Sequence, residues 1–404
     1  MKSRLVWLVV LLCLVAFQND SCSANTQKTK EARETIKTGA ERTEDYFPLL
    51  EHRRIAVAGN HTSMLGATHL VDTLLRAGFD LVKVFSPEHG FRGDAAAGEW
   101  VDSTVDKQTG LPIVSLYGSN RRPAPSHLHD IDVIVFDIQD VGVRFYTYIS
   151  TMTYIMEEAA RQKIPVIILD RPNPLRHYID GPVLEPAYSS FVGLHPVPVV
   201  HGMTIGEYAL MVNGEGWLGD GLTCNVTVIP VENYHSGIRY SLPLQPSPNL
   251  PNMHAIYLYP SLCFFEGTQI SLGRGTDKPF QVYGHPAFKD KGFDYVFTPL
   301  SVKAAPNPPQ LGNRCYGRDL STIPLEVLEC MGEIQLDYLI EAYKMYADKD
   351  SFFNSFFERL AGTSQLRQQL KDGKSAELIR ESWKPGIESY KSIRSQYLLY
   401  PDDD

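Results

Sequence analysis

Short, continuous apolar runs recur along the first half of the chain, and each is closed by a cluster of polar residues. The runs at 54–59, 81–86, 113–116, 131–138 and 165–170 read as strands. Amphipathic helices are expected between them at 68–77 and 147–161, and a helix at 204–213 and a strand at 224–231 continue the series. Strands without polar alternation are buried on both faces, as in a parallel sheet covered by helices on each side. The expected class is therefore α/β, with a Rossmann-like, mostly parallel sheet domain over residues 46–255. The rhythm loosens through the proline-rich stretch 171–198 and the loop-rich stretch 242–252. Beyond it, short strands at 269–272 and 281–283 and helices at 324–346, 352–360 and 382–397 predict a smaller α+β C-terminal domain over 256–404.

The ends of the chain change this picture little, except at the N-terminus. Lys2 and Arg4 precede an apolar run over 5–17, then Asn19-Asp20-Ser21-Cys22-Ser23-Ala24. A basic start, an apolar stretch too short to span a bilayer and small residues at a cleavage point make residues 1–24 a secretory signal peptide. Cys22 offers the alternative of a lipid anchor. Residues 25–45 are polar and charge-mixed, which predicts a flexible tether. The expected location is exported, periplasmic or associated with the cell envelope. The formal net charge is -9 and no basic stripe is present, so a nucleic-acid partner is not expected. Of the cysteines after the signal, Cys224 and Cys263 sit in apolar runs and read as buried thiols. Cys315 and Cys330 are the expected bridge.

Candidate chemistry follows from the sheet. In an open parallel sheet, ligands bind outside the carboxyl ends of the strands. Asn60-His61-Thr62-Ser63, Ser86-Pro87-Glu88-His89-Gly90, Tyr117-Gly118-Ser119-Asn120, Gln139-Asp140 with Arg144, Tyr146 and Tyr148, and Asp170-Arg171-Pro172-Asn173 all follow predicted strands. No G-x-G-x-x-G follows the first strand and no phosphate-loop sequence exists, so no nucleotide cofactor is expected. Neither H-E-x-x-H nor G-x-S-x-G occurs. His127, His129 and Asp130 could ligate a metal, but they precede a strand, and no metal is assigned there. Carboxylates remain: Glu88, Asp140, Glu185 and Glu266 lie in loops beside arginines and aromatics. Two carboxyl groups about 5–5.5 Å or about 6.5–9.5 Å apart hydrolyse glycosidic bonds when one is kept protonated by its surroundings. Glu88, leaving an apolar strand on a tight turn, suits the acid. Arg144, Arg171 and Arg274 suit a sugar that carries a carboxylate.

The runs "FSPEHGFRG", "VSLYG", "DIQDVGVRFYTY", "LDRPNPL", "DGPVLEP", "VPVVHGMTIGEYA", "PSPNLPN", "FEGTQISLGRGTDKPF" and "SWKPGIESYKSIRSQYLLY" occur in this order over about residues 53–400. Together they resemble the exo-β-N-acetylmuramidases, a family of NamZ-like glycoside hydrolases. The resemblance implies an active-site cleft between a Rossmann-like domain and a smaller C-terminal domain. It also implies release of N-acetylmuramic acid from the non-reducing end of peptidoglycan fragments, with neither metal nor cofactor. It carries Glu88 over as the best catalytic candidate and leaves Glu185, Asp140, Glu266 or a tyrosine such as Tyr146 as the second group. Asn60, His89, Arg144, Tyr146, Arg171, Asn173, His201, Glu266 and Arg274 are the expected sugar-binding residues. The segment at 282–288 departs from the family, with His285 and Phe288 where alanine and tryptophan are expected, which bears on the cleft wall. Two other readings compete: a non-catalytic sensor of cell-wall sugars, and a metal-dependent hydrolase built on His89 and Asp94.

Overall fold

The apolar runs form the centre of a seven-stranded sheet. In chain order the strands are β1 (Arg54–Gly59), a small hairpin β2 (Met64–Leu65) and β3 (Thr68–His69), β4 (Asp80–Ser86), β5 (Thr104–Val105), β6 (Pro112–Ser115), β7 (Val133–Asp137), β8 (Val166–Leu169) and β9 (Val226–Ile229). The hairpin stands apart, and the main sheet has the order β5-β6-β4-β1-β7-β8-β9, parallel throughout except for the β5–β6 edge. The computed structural model describes residues 35–88, 90–92 and 104–402.

Alternation along each strand feeds two cores, because successive side chains leave a strand on opposite faces. Ile55 and Val57 join Val84, Val133 and Val135 on one face, packed by helix α2 (Leu70–Arg76), which follows α1 (Thr43–Leu50) in the chain. Ala56, Ala58, Phe85, Ile134 and Phe136 face the other side, under α3 (Tyr148–Gln162) and α4 (Ile205–Gly214). From β1 the chain steps outward to β4 and then β6, and returns to pair β7 on β1's other edge. That reversal is a topological switch point, where the loops leaving neighbouring strands splay apart and open a crevice.

The rest of the chain adds α5 (Met253–Leu262) and a three-stranded antiparallel sheet of β10 (Val282–His285), β11 (Tyr295–Phe297) and β12 (Cys315–Asp319), ordered β10-β12-β11. Helices α6 (Leu325–Glu329), α7 (Asp337–Met345), α8 (Phe357–Ala361), α9 (Gln365–Lys371) and α10 (Ala376–Arg394) complete it. The chain's last long helix packs back on the Rossmann-like part: the Tyr390 hydroxyl donates to the His201 carbonyl at 2.7 Å, and Arg394 Nη2 to that of Gly202 at 2.7 Å. One core runs through both parts, and the described residues from Lys37 onward form a single compact unit. No helix among the described residues is long and apolar enough to cross a membrane.

Several expected elements differ. Residues 37–45, read as part of a tether, are packed: Gly39 N–H donates to the Asp170 carbonyl at 2.8 Å, and Ala40 and Tyr46 are buried. A Cβ on Gly39 would stand 2.3 Å from the Ile229 carbonyl oxygen, so the polar composition hid a close backbone contact. The helix expected over 324–346 is two helices. The amides of Ile334 and Gln335 donate instead to Asp180 Oδ2 (2.7 Å) and Ser261 Oγ (2.9 Å), outside any helical ladder. The helix expected over 352–360 starts only at Phe357, because the Phe352 carbonyl accepts from Gln269 and Asn354 Oδ1 accepts from Phe356 N–H. Residues 269–272 are not a strand beyond a single bridge from Ser271 to Gly284. Cys315, expected to pair with Cys330, is a free buried thiol, as are Cys224 and Cys263. The signal peptide, Cys22, His89 and Asp94 lie outside the described residues.

Candidate active site

A cavity of about 350 Å³ opens beside the switch point, lined from both parts of the chain. The loop after β4 supplies Glu88, the loop after β6 Tyr117 and Arg121, and the loop after β7 the run Phe145-Tyr146-Thr147-Tyr148. From the C-terminal part come Tyr259, Glu266, Arg274, Phe280, Phe356 and Arg359. Gly267 makes this junction possible. A Cβ there would lie 2.5 Å from Phe357 Cα, so only glycine lets α8 approach the Glu266 loop so closely.

Glu88 is the most strongly conditioned carboxyl on the wall. Burial raises its pKa above the ordinary glutamate value. Hydrogen bonds from Thr147 and Tyr117 and the charges of Arg274 and Arg121 oppose that rise. The Thr147 hydroxyl donates to Glu88 Oε2 at 3.0 Å. The second carboxylate on the wall, Glu266, is gripped by Arg274, whose Nε and Nη2 both donate to Oε1 at 2.7 and 2.5 Å. Arg274 also lies 5.0 Å over the Phe280 ring. Tyr146 and Tyr148 meet edge to face at 4.7 Å, and the Tyr146 hydroxyl donates to the Pro246 carbonyl at 2.8 Å. Burial pushes both phenols up, so they stay neutral and present rings with fixed hydroxyls. Asn60 acts one layer back, with Nδ2 donating to the Tyr148 hydroxyl at 3.0 Å.

Of the expected site residues, Glu88, Tyr146, Glu266 and Arg274 therefore meet in one cavity. Others lie elsewhere. Arg144 is fully buried and donates to four backbone carbonyls: Pro182 and Val197 through Nη1, Leu360 and Ala361 through Nη2, all at 2.7–2.9 Å. Arg171 is buried against Asp137, with Nε 2.6 Å from Oδ1 and Nη2 2.9 Å from Oδ2. Asn173 holds its own turn, accepting from Leu175 N–H and donating to the Met203 carbonyl. Glu185 is exposed and accepts from the Thr363 hydroxyl at 2.5 Å. Asp140 is buried behind the wall: Oδ2 accepts from Gly142 N–H at 2.7 Å and lies 3.9 Å from His201 Nε2. Burial pushes the Asp140 carboxyl up to about 7 and the His201 imidazole down to about 3. None of these five lines the cavity, nor does His201. His285 and Phe288, the departure from the family runs, pack with Tyr346 and Phe293 in the C-terminal part, away from the cavity wall.

Sequence reasoning passed over Arg121, Arg359, Phe280 and Phe356. Arg121 carried a usable signal, two residues beyond Ser119 on a loop that leaves a strand. Arg359 carried none, since a charged residue on a short amphipathic helix reads as a solvated face.

Comparison with known proteins decides the family. Residues 55–254 match the N-terminal, and 257–400 the C-terminal, domain of the exo-β-N-acetylmuramidase NamZ. The chain belongs to the NamZ family. It is 35% identical over 420 residues to the peptidoglycan β-N-acetylmuramidase NamZ of Bacillus subtilis, covering 99% of this chain and 100% of that protein. A crystal structure of a DUF1343 family protein from Bacteroides fragilis superposes with a TM-score of 0.85 at 50% identity, covering 92% of this chain and 100% of that one. A second protein of that description from the same organism gives 0.76 at 29% identity, covering 91% and 99%.

Proposed function

We propose that this chain is an exo-acting glycoside hydrolase that releases N-acetylmuramic acid from the non-reducing end of peptidoglycan fragments, with Glu88 as the proton donor. The observation that carries the reading is a carboxyl raised by burial, facing a cavity that also holds a second, salt-bridged carboxylate. In glycoside hydrolysis one carboxylic acid protonates the leaving oxygen while charge develops on the anomeric carbon. Glu88 gives its proton to the glycosidic oxygen. Glu266, fixed by Arg274, provides the negative charge that stabilises the oxocarbenium-like centre or orients the attacking water. Tyr146, Tyr148 and Phe280 offer ring faces to the sugar and keep bulk water from the reacting bond.

The chain acts outside the cytoplasm on this reading: the basic start, apolar run and small-residue cleavage point over 1–24 support export to the periplasm or cell envelope, with Cys22 as a lipid-anchor alternative. Fractionation of cells expressing the full chain tests this, and a cytoplasmic product counts against it.

The deciding experiment is incubation with a disaccharide of N-acetylmuramic acid and N-acetylglucosamine, with and without EDTA, followed by mass spectrometry. Free N-acetylmuramic acid is the expected product, undiminished by chelator. Glu88→Gln is expected to lower kcat by about 10²–10⁴-fold with the fold intact, the range for loss of a general acid. Saturable binding without release of sugar would instead support a sensor.

A further inference from the structure

The arginines expected to hold a sugar carboxylate are spoken for. Arg144 is spent on carbonyls, Arg171 on Asp137, and Arg274 on Glu266. Among the described residues, two other cations on the cavity wall are not. Arg121 leaves the loop after β6 with its guanidinium 4.5 Å over the Phe191 ring, and no carboxylate among the described residues pairs with it. Its neighbour Arg122 makes the contrast, being neutralised by Glu157 and Glu158 and stacked over Tyr154. Arg359 projects from α8 with no carboxylate partner among the described residues either. The adjacent Glu358 is already engaged by Arg367.

Charge on the wall follows from this arrangement. Among the described residues, three arginines and two glutamates line the cavity, and with Glu88 protonated their positive charge is in excess by two. This concave positive site lies in a chain whose net charge is -9. A positive cavity in an acidic molecule is complementary to a small anion and attracts it selectively. N-acetylmuramic acid differs from N-acetylglucosamine by a lactyl ether whose carboxylate is ionised at neutral pH. A guanidinium stacked on an aromatic ring is pre-organised to meet such a group with two parallel N–H donors.

Resting on the muramidase reading above, we infer that Arg121 and Arg359 are the specificity-determining residues that bind the lactyl carboxylate and so distinguish muramyl from glucosaminyl sugars. The charge of Arg121 also acts on Glu88. Arg359 brings the C-terminal part into recognition of the same sugar.

The test is calorimetric binding of N-acetylmuramic acid and of its lactyl methyl ester to the Glu88→Gln protein. The ester keeps the shape and removes the charge. The acid is expected to bind about 10–100-fold tighter than the ester, the range for charge-assisted hydrogen bonds to one anion. Adding Arg121→Ala or Arg359→Ala should cut that preference, and both together should abolish it while ester binding persists. Arg121→Lys should keep part of the preference, since the charge stays and the fork is lost. Equal affinity for acid and ester, or a preference that survives the double substitution, overturns the inference. The muramidase reading fails separately, if the parent protein releases no N-acetylmuramic acid from the disaccharide.

Discussion

Glu88 is pulled in two directions. Burial favours the neutral acid, while the hydroxyls of Thr147 and Tyr117 and two guanidiniums favour the carboxylate. The acid form is the one that donates a proton, so activity must fall as pH rises through the Glu88 pKa. Removing a hydrogen bond to the carboxylate raises that pKa further. Thr147→Ala is therefore expected to move the alkaline limb of the kcat/KM profile upward by up to about one pH unit. A downward shift, or none, would show that Thr147 does not tune this carboxyl. At this scale the sequence was readable where a residue's neighbours along the chain set its surroundings. Glu88 follows Pro87 directly off an apolar strand, so its burial was legible. Asp140 has the same kind of address, after β7, yet its side chain turns inward to Gly142 and His201 rather than to the cavity.

Arg144 shows what holds an element in place. Its guanidinium joins the loop after β7 to the segments carrying Pro182 and Val197 and to the C-terminal turn of α8. No carboxylate among the described residues compensates it, and burial brings its pKa down to about 9. Gly362 is part of the device. Its φ of +75° ends α8 in the left-handed region, and a Cβ there would meet Arg144 Nη2 at 2.7 Å. Replacing Arg144 by Met of similar reach strands four buried carbonyls, and urea denaturation is expected to show a loss of about 3 kcal/mol or more. Arg144→Lys, with three donors and no fork, should lose less. A neutral outcome for Met would mean that the carbonyls find water or other donors. Among elements, the parallel strands were legible because burial on both faces leaves an unbroken apolar run. The helices at 325–345 were misjudged as one, since an apolar pattern does not reveal amides that Asp180 and Ser261 take from outside the helix.

For the molecule as a whole, buried titratable groups set how stability depends on pH. Asp140, pushed up to about 7, keeps its proton in the folded chain where the unfolded chain has lost it. Its contribution to stability is thus fully present below about pH 4 and is lost as pH rises through about 7. His201, held down to about 3, has the opposite slope, because the unfolded chain gains a proton below about pH 6.5 that the folded chain refuses. Asp140→Asn removes only the first slope. Its stability relative to the parent, from urea denaturation, is expected to rise by a few kcal/mol between about pH 4 and about pH 8. A difference that stays constant with pH would contradict a buried neutral carboxyl at this position. The same scale separates what sequence and structure each decided. Local order determined the Rossmann-like sheet, the position of Glu88 at a strand's carboxyl end and the runs that mark the family, because each depends on neighbours a few residues away. Only the tertiary structure decided which arginines are spent on internal partners and which, Arg121 and Arg359, meet no carboxylate among the described residues on the cavity wall. It likewise decided that Glu266, far along the chain, faces the same space as Glu88 while Asp140 and Glu185 do not. The reason is physical: pairing and burial of a charge are set by groups that only folding brings within hydrogen-bond reach.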